Sequence, residues 1–284
     1  MVMVIAISGS SGFIGRQLQT LFPAPPNTIV ALGRNWAMQS PHAMDGCGAV
    51  VHLAGEPVAQ RWNSEIKNRI RTSRTEGTRQ VVEAITKAKK KPQVLVCASA
   101  IGFYGSRSSE TLLETSHAGS GFLPEVCQEW EAEADRVLKV GVRLVKLRIG
   151  MVLGRGGGAL TKMETPFKLG AGGRIGSGLQ WMSWIHIADL TRLIQFAVEN
   201  ESVSGVVNAV TPYPVTNEEF TKLFAAALHR PALFPVPEFA IKLLFGEMSS
   251  MILASQRVLP DAAQSAGFKF QFAGLESALS EIYG

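Results

Sequence analysis

At 284 residues, 46% of them hydrophobic and 18% charged, the chain can bury a sizeable core, which excludes a disordered or fibrous protein. Its net charge of +5 comes from scattered lysines and arginines, so a nucleic-acid partner, which needs a coherent basic face, is not expected. The cysteines, Cys47, Cys97 and Cys127, have neither paired nor metal-ligand spacing, which points away from a metal site and towards a reducing, cytoplasmic compartment, and no apolar run approaches the roughly 20 residues of a membrane span.

Residues 2–7 are apolar and lead straight into a glycine turn, the shape of a first strand rather than a targeting leader. That turn, Gly9-Ser10-Ser11-Gly12-Phe13-Ile14-Gly15, opens a helix. Glycines at this spacing permit a tight turn, close backbone approach to a pyrophosphate and close packing of helix on strand, while the first helical N–H groups face the phosphate oxygens. A strand at 29–32 follows and ends Leu32-Gly33-Arg34. An NAD site usually ends this strand with a carboxylate for the ribose 2′-hydroxyl; an arginine there suits the 2′-phosphate of NADP instead.

The strand at 49–53 ends Leu53-Ala54-Gly55, small residues against which adenosine and ribose can lie. His52, inside this apolar run, reads as a packed core histidine. Helical spacing then links Ile66, Ile70, Gly77, Val81 and Ile85, and later Leu123, Val126, Trp130, Ala134 and Val137, between strands at 94–97, 144–149 and 206–210. This alternation predicts an α/β fold, a Rossmann doubly wound parallel sheet covered by helices on both faces. Val152, just past the strand at 144–149, joins the expected cofactor-binding residues.

After Leu153 the texture changes. Glycine runs at 154–158 and 170–173 mark irregular loops, Thr216-Asn217-Glu218-Glu219 reads as a capping box, and Pro231, Pro235 and Pro237 separate that helix from the next. The expected division is an NADP-binding part at 1–154 plus 184–210, and a smaller, mainly helical substrate part at 155–183 plus 211–284. His186 and Asp189 begin a helix and read as capping residues. Trp181, Met182 and Trp184 either line a pocket or pack the junction of the two parts.

The glycine turn, His52-Leu53-Ala54-Gly55, Arg74-Thr75-Glu76-Gly77-Thr78, Ser99-Ala100-Ile101-Gly102-Phe103-Tyr104-Gly105 and Trp184-Ile185-His186-Ile187-Ala188-Asp189 occur in the order seen in extended short-chain dehydrogenases/reductases. Together they resemble the NAD(P)-dependent epimerase/dehydratase branch. Arg148-Ile149-Gly150-Met151-Val152-Leu153-Gly154 and Gln180-Trp181-Met182-Ser183-Trp184 narrow the resemblance to an atypical subgroup of epimerase family proteins.

The resemblance implies a Rossmann domain with NADP(H) bound through the residues above. It also places Arg74 where the wider family has the Asn of Asn-x-x-Gly-Thr, so Arg74 either reaches the cofactor or forms a helix-surface ion pair. The family's third strand and helix are squeezed into residues 35–48, truncating that sheet edge. Its catalytic Tyr-x-x-x-Lys pair is missing: pattern matching puts Leu123 and Cys127 at those places, and Tyr104, Tyr213 and Tyr283 have no lysine four residues on. Ser99 lies near the family's hydroxyl position and Tyr104 in the loop beyond. Each is either a catalytic group handling a proton at a bound carbonyl or a structural residue.

Two functions follow as expectations. One is an NADP(H)-dependent oxidoreductase or epimerase acting on a small polar, sugar-like substrate, with the proton handled by Ser99, Tyr104 or water. The other is a non-catalytic NADP(H)-binding redox sensor or regulatory protein. Helices of this fold often pair into homodimers, and no face in the sequence is marked for it.

Overall fold

The structure, a computed structural model, describes residues 3–22, 27–33, 36, 42–232 and 234–284. Its strands, in chain order, are β1 (Val4–Ser8), β2 (Thr28–Leu32), β3 (Ala49–His52), β4 (Val94–Ala100), β5 (Thr111–Leu112), β6 (Arg143–Ile149), β7 (Met151–Leu153), β8 (Trp181–Met182), β9 (Trp184–His186), β10 (Gly205–Ala209), β11 (Val215–Thr216) and β12 (Arg257–Val258).

Six of them form a parallel sheet in the order β10-β6-β4-β3-β1-β2. Alternate residues of each strand serve different cores. Ile5, Ile7, Val51 and Val96 join Leu147, Leu190 and Leu193, whereas Ala6, Val50, Leu95 and Cys97 join Val81, Ile85, Trp130 and Ala134. With both faces covered there is no wet side to leave an alternating polar pattern, which is why these strands read as unbroken apolar runs. Among the described residues no strand pairs beyond β2; of residues 35–48, into which the family's third strand is expected to be squeezed, 35 and 37–41 lie outside the described residues.

The register sets up the site. Ser8 pairs with both Leu32 and His52, His52 with Cys97, and Ala100 with Ile149. The loops that follow β1, β2, β3, β4 and β6 therefore leave the sheet along one carboxyl edge, where open α/β sheets bind ligands.

A separate core covers part of that edge. It joins Leu153, Leu160, Phe167 and Trp184 to Phe220, Phe224, Leu275, Leu279 and Ile282. The capping box is present as expected: Thr216 Oγ1 accepts from the Glu219 N–H at 3.2 Å, and Glu219 Oε2 accepts from the Thr216 N–H at 2.8 Å. The C-terminal stretch contributes to more than one core. Ala263 and Phe268 pack into the main sheet's core alongside Val207 and Ala209 of β10, so residues beyond 211 serve both parts.

Asp189 holds that return in place. Fully buried, it accepts from the Gln271 and Phe272 N–H groups at 2.8 Å each and from Arg192 at 2.8 Å. His186 caps the helix Ile187–Glu199 through the Ala188 N–H and contacts Glu281 at 3.1 Å. Both are structural residues in this fold. Among the described residues no helix is long and apolar enough to cross a membrane.

Candidate functional site

The glycine turn has the geometry its sequence requires. Gly9 has φ +74°, and a Cβ there would sit 2.9 Å from the backbone of Leu53 and Ala54, so only glycine lets β1 turn against the end of β3. At Gly15 a Cβ would lie 2.2 Å from Gly9 O, because the first helix packs directly on the turn. Gly12 caps that helix, Phe13–Gln19, with no side-chain hydrogen bond, leaving the first-turn N–H groups to a ligand. Gln19 steadies the turn from inside, donating to Ser10 O at 2.9 Å and Gly15 O at 3.1 Å. Ser11 and Gly12 are exposed, Phe13 and Ile14 half-buried.

The 154–158 glycine run, legible in the sequence only as a loop, is the other wall. Cβ atoms at Gly154, Gly157 and Gly158 would come within 3.0, 2.3 and 3.0 Å of the Phe13 ring, and one at Gly158 would also lie 2.6 Å from Val152 O. The loop is glycine-rich because it wraps this ring. Val152 is thereby brought beside the turn. Gly33 is exposed at the end of β2, and Arg34 lies outside the described residues.

Beneath the turn, His52 is buried and hydrogen-bonds Ser8 Oγ at 2.5 Å and Thr78 Oγ1 at 3.0 Å, tying β1, β3 and the helix Ser64–Lys87 together. Burial, helped by the nearby Arg74 charge, pushes its pKa from 6.5 down to about 4. Between those values the unfolded chain binds a proton that the native chain does not. The contribution is therefore complete above pH 6.5 and is lost as pH falls towards 4, amounting to ~3 kcal/mol. Urea unfolding of wild type and His52→Gln at pH 7 and pH 4.5 checks this: the wild type should lose more stability than the variant on acidification, and equal losses would show that His52 is not the group.

Arg74 is neither a surface ion pair nor a free cation. Its Nη1 donates to Glu56 O at 3.0 Å and Ile70 O at 3.1 Å, its guanidinium lies 5.1 Å from the Trp130 ring centroid, and it comes within 3.4 Å of the Cβ position of Gly55. It therefore floors the cleft between the β3 loop and the helix Phe122–Asp135. Neighbouring cations of the helix Ser64–Lys87 are neutralised: Arg69 pairs with Glu56, Arg71 with Glu125 and Glu129, and Lys67 with Glu247.

On the helix Phe122–Asp135, Leu123 and Cys127 both face the turn at Ile101–Tyr104. A Cβ at Gly102 would meet Leu123 Cβ at 3.5 Å and Cys127 Sγ at 3.8 Å. Burial pushes the Cys127 thiol up to about 12, so no thiolate forms near neutral pH. Leu123 also belongs to an apolar cluster with Trp62, Phe122, Phe245 and Met248.

The two hydroxyls expected at the reacting end lie inside the wall. Ser99, 3% exposed, donates to Glu131 Oε1 at 2.7 Å. Tyr104 is fully buried; its OH donates to Asn208 Oδ1 at 2.6 Å and accepts from Arg148 Nη1 at 3.0 Å. Burial pushes its phenol up, against the pull of Arg148. Each hydroxyl has a single proton, and both are engaged within the wall.

The centre of this network is the buried pair Glu131–Arg148, bidentate at 2.8 and 2.9 Å, with the guanidinium 3.3 Å from the Phe103 ring centroid. Glu114 extends it, accepting from the Asn208 N–H at 3.0 Å and the Ala262 N–H at 3.1 Å. Glu131, Arg148 and Asn208 are the residues that sequence reasoning missed. The available signal was polarity out of place: a carboxylate on the apolar stripe that holds Cys127 and Trp130, and an arginine inside the strand at 144–149.

The sheet edge, the turn and the floor beneath it fit a dinucleotide. A family model described as the NAD dependent epimerase/dehydratase family matches residues 5–209. The chain belongs to this family. Within it, the similarity extends over nearly the whole length to the epimerase family protein SDR39U1 homolog, chloroplastic, of Arabidopsis thaliana, at 39% identity over 99% of this chain and 86% of that protein. Epimerase family protein YfhF of Bacillus subtilis is 37% identical, with 99% and 98% covered. The crystal structure of human epimerase family protein SDR39U1 (isoform 2) with NADPH is 35% identical and superposes with a TM-score of 0.91 over 99% of both chains. A second model, described as a domain of unknown function, matches residues 236–282.

Proposed function

We propose that this chain binds NADPH and acts as an NADP(H)-dependent oxidoreductase of the epimerase type on a small polar substrate. The observation that carries the reading is the glycine cradle: Gly9 packs on Leu53 and Ala54, Gly15 packs on Gly9, and the helix start between them, at Ser11, Gly12, Phe13 and Ile14, has no side-chain cap. The human relative, solved with NADPH, supports the same assignment. In this reading Gly33 and Arg34 meet the 2′-phosphate, Arg74 underlies the ribose side, and Val152 with the Phe13 loop closes the nicotinamide side. The bound cofactor supplies hydride exchange at nicotinamide C4.

With Ser99 and Tyr104 engaged in the Glu131–Arg148 network, their role is to hold the end of β4 in place, and the proton comes from water. The same observation favours a second reading, a non-catalytic NADP(H) sensor. Three buried free thiols suit a cytoplasmic site of action.

Calorimetric titration of wild type and Arg34→Ala with NADPH and NADH tests the cofactor assignment. NADPH should bind at least about tenfold more tightly, and the substitution should remove that preference, since a charge-assisted arginine–phosphate contact is worth that much. Equal affinity of wild type for both nucleotides would overturn NADP specificity. Tight NADPH binding without turnover over a broad carbonyl panel would decide for the sensor.

A further inference from the structure

Arg257 stands apart from the other arginines of the sheet edge. Arg74, Arg107 and Arg148 all donate to carbonyls or carboxylates. The Arg257 side chain forms no hydrogen bond or ion pair among the described residues, and its Nε is sealed from solvent without a partner. Its guanidinium lies over the Trp181 ring, 4.6 Å from the centroid. A buried N–H left unpaired is costly, and a partly desolvated cation without a counter-charge more so.

The surroundings hold this arginine firmly at the seam between the sheet edge and the C-terminal part. Residue 257 pairs with Thr111 in the β12–β5 ladder. Its neighbour Gln256 donates to Ile101 O at 2.8 Å and Gly105 O at 2.9 Å, in the turn that follows Ser99, and the Gln256 N–H reaches Trp181 O at 3.0 Å. Held over an indole face, the guanidinium keeps its terminal N–H groups unspent, and two such groups can grip two oxygens of one carboxylate or phosphate.

We propose that Arg257, backed by Trp181, is the anion-holding subsite of this protein, and that the substrate carries a carboxylate or phosphate group. Its assignment to the substrate rests on the function proposed above; the binding of an oxyanion does not. The subsite would anchor the far end of the substrate while the rest reaches the turn at Ile101–Tyr104, beside Leu123.

The experiment titrates the full chain with inorganic pyrophosphate and, separately, with succinate, at constant ionic strength in chloride, by calorimetry and tryptophan emission. Wild type should give a saturable signal with at least one of them, and which one tells phosphate from carboxylate. Arg257→Gln should weaken that binding at least about tenfold, Arg257→Lys should weaken it less, and Trp181→Phe should remove the emission change. Undiminished affinity in Arg257→Gln, or a wild-type response no larger than chloride gives, overturns the proposal. NADPH titration in parallel reports whether the variant is folded, and if Arg257→Gln does not fold, undiminished binding in Arg257→Lys is the overturning result. Oxyanion binding that needs Arg257 in a protein that does not bind NADPH would sink the cofactor reading and leave this one standing.

Discussion

Gly15→Ala is expected to destabilise the protein by about 3 kcal/mol and to abolish NADPH binding with it. The added methyl would sit 2.2 Å from Gly9 O and 2.7 Å from Ser10 Cα. Both are backbone atoms of a turn that Gln19 and the end of β3 hold, so no side chain can swing aside and the helix itself must lift. Two other glycines bracket the result. At Gly12 a Cβ meets only Gly9 O, at 3.1 Å, so Gly12→Ala should keep the fold and weaken cofactor binding by intruding where a phosphate would lie. At Gly77, inside the helix Ser64–Lys87, nothing lies within 4 Å, and alanine there should stabilise by ~0.5–1 kcal/mol. Thermal melts and NADPH titrations of the three variants check the set. A Gly15→Ala protein that melts with wild type would refute the close-packing account of this turn.

How far the sequence could be read depends on the range of the interaction involved. Features set by neighbours in the chain were legible: the strand–turn–helix at the glycines, the Thr216 capping box, the apolar strands of a sheet covered on both faces, and Asp189 and His186 as helix-start residues. His52 is legible as a core histidine as well, because an imidazole in an apolar strand has few other ways to be satisfied. Features set by distant partners were not. Tyr104 looked available for chemistry because its position in a loop past a strand suggests exposure; its acceptor, Asn208, is 104 residues away. The glycines at 154–158 announced a loop without announcing the Phe13 ring it encloses. The return of Ala263 and Phe268 to the main core is not legible either, because the apolar residues of that short segment carry no mark of which core they serve.

The Glu131–Arg148 pair should be the most sensitive polar contact in the molecule. Both side chains are under 10% exposed, and their two hydrogen bonds, with those to Ser99 and Tyr104, satisfy one another in a low-dielectric interior. Removing one partner strands the other's charge there, because the nearest further cation, Lys146, is 3.8 Å from Glu131 and already pairs with Asp135 at 2.7 Å. Glu131→Leu and Arg148→Met should therefore each cost about 3–5 kcal/mol. Making both changes removes both charges and leaves apolar volume, so the double variant should be less destabilised than the sum of the two, and milder than either if the packing adapts. Denaturant unfolding of the four proteins gives the coupling energy directly. Additive losses of under ~1 kcal/mol each would mean that the pair behaves like a surface salt bridge. A double variant that recovers stability and still binds NADPH would locate the pair's contribution in the wall behind the site, holding Ser99 and Tyr104, rather than in the cofactor cradle itself.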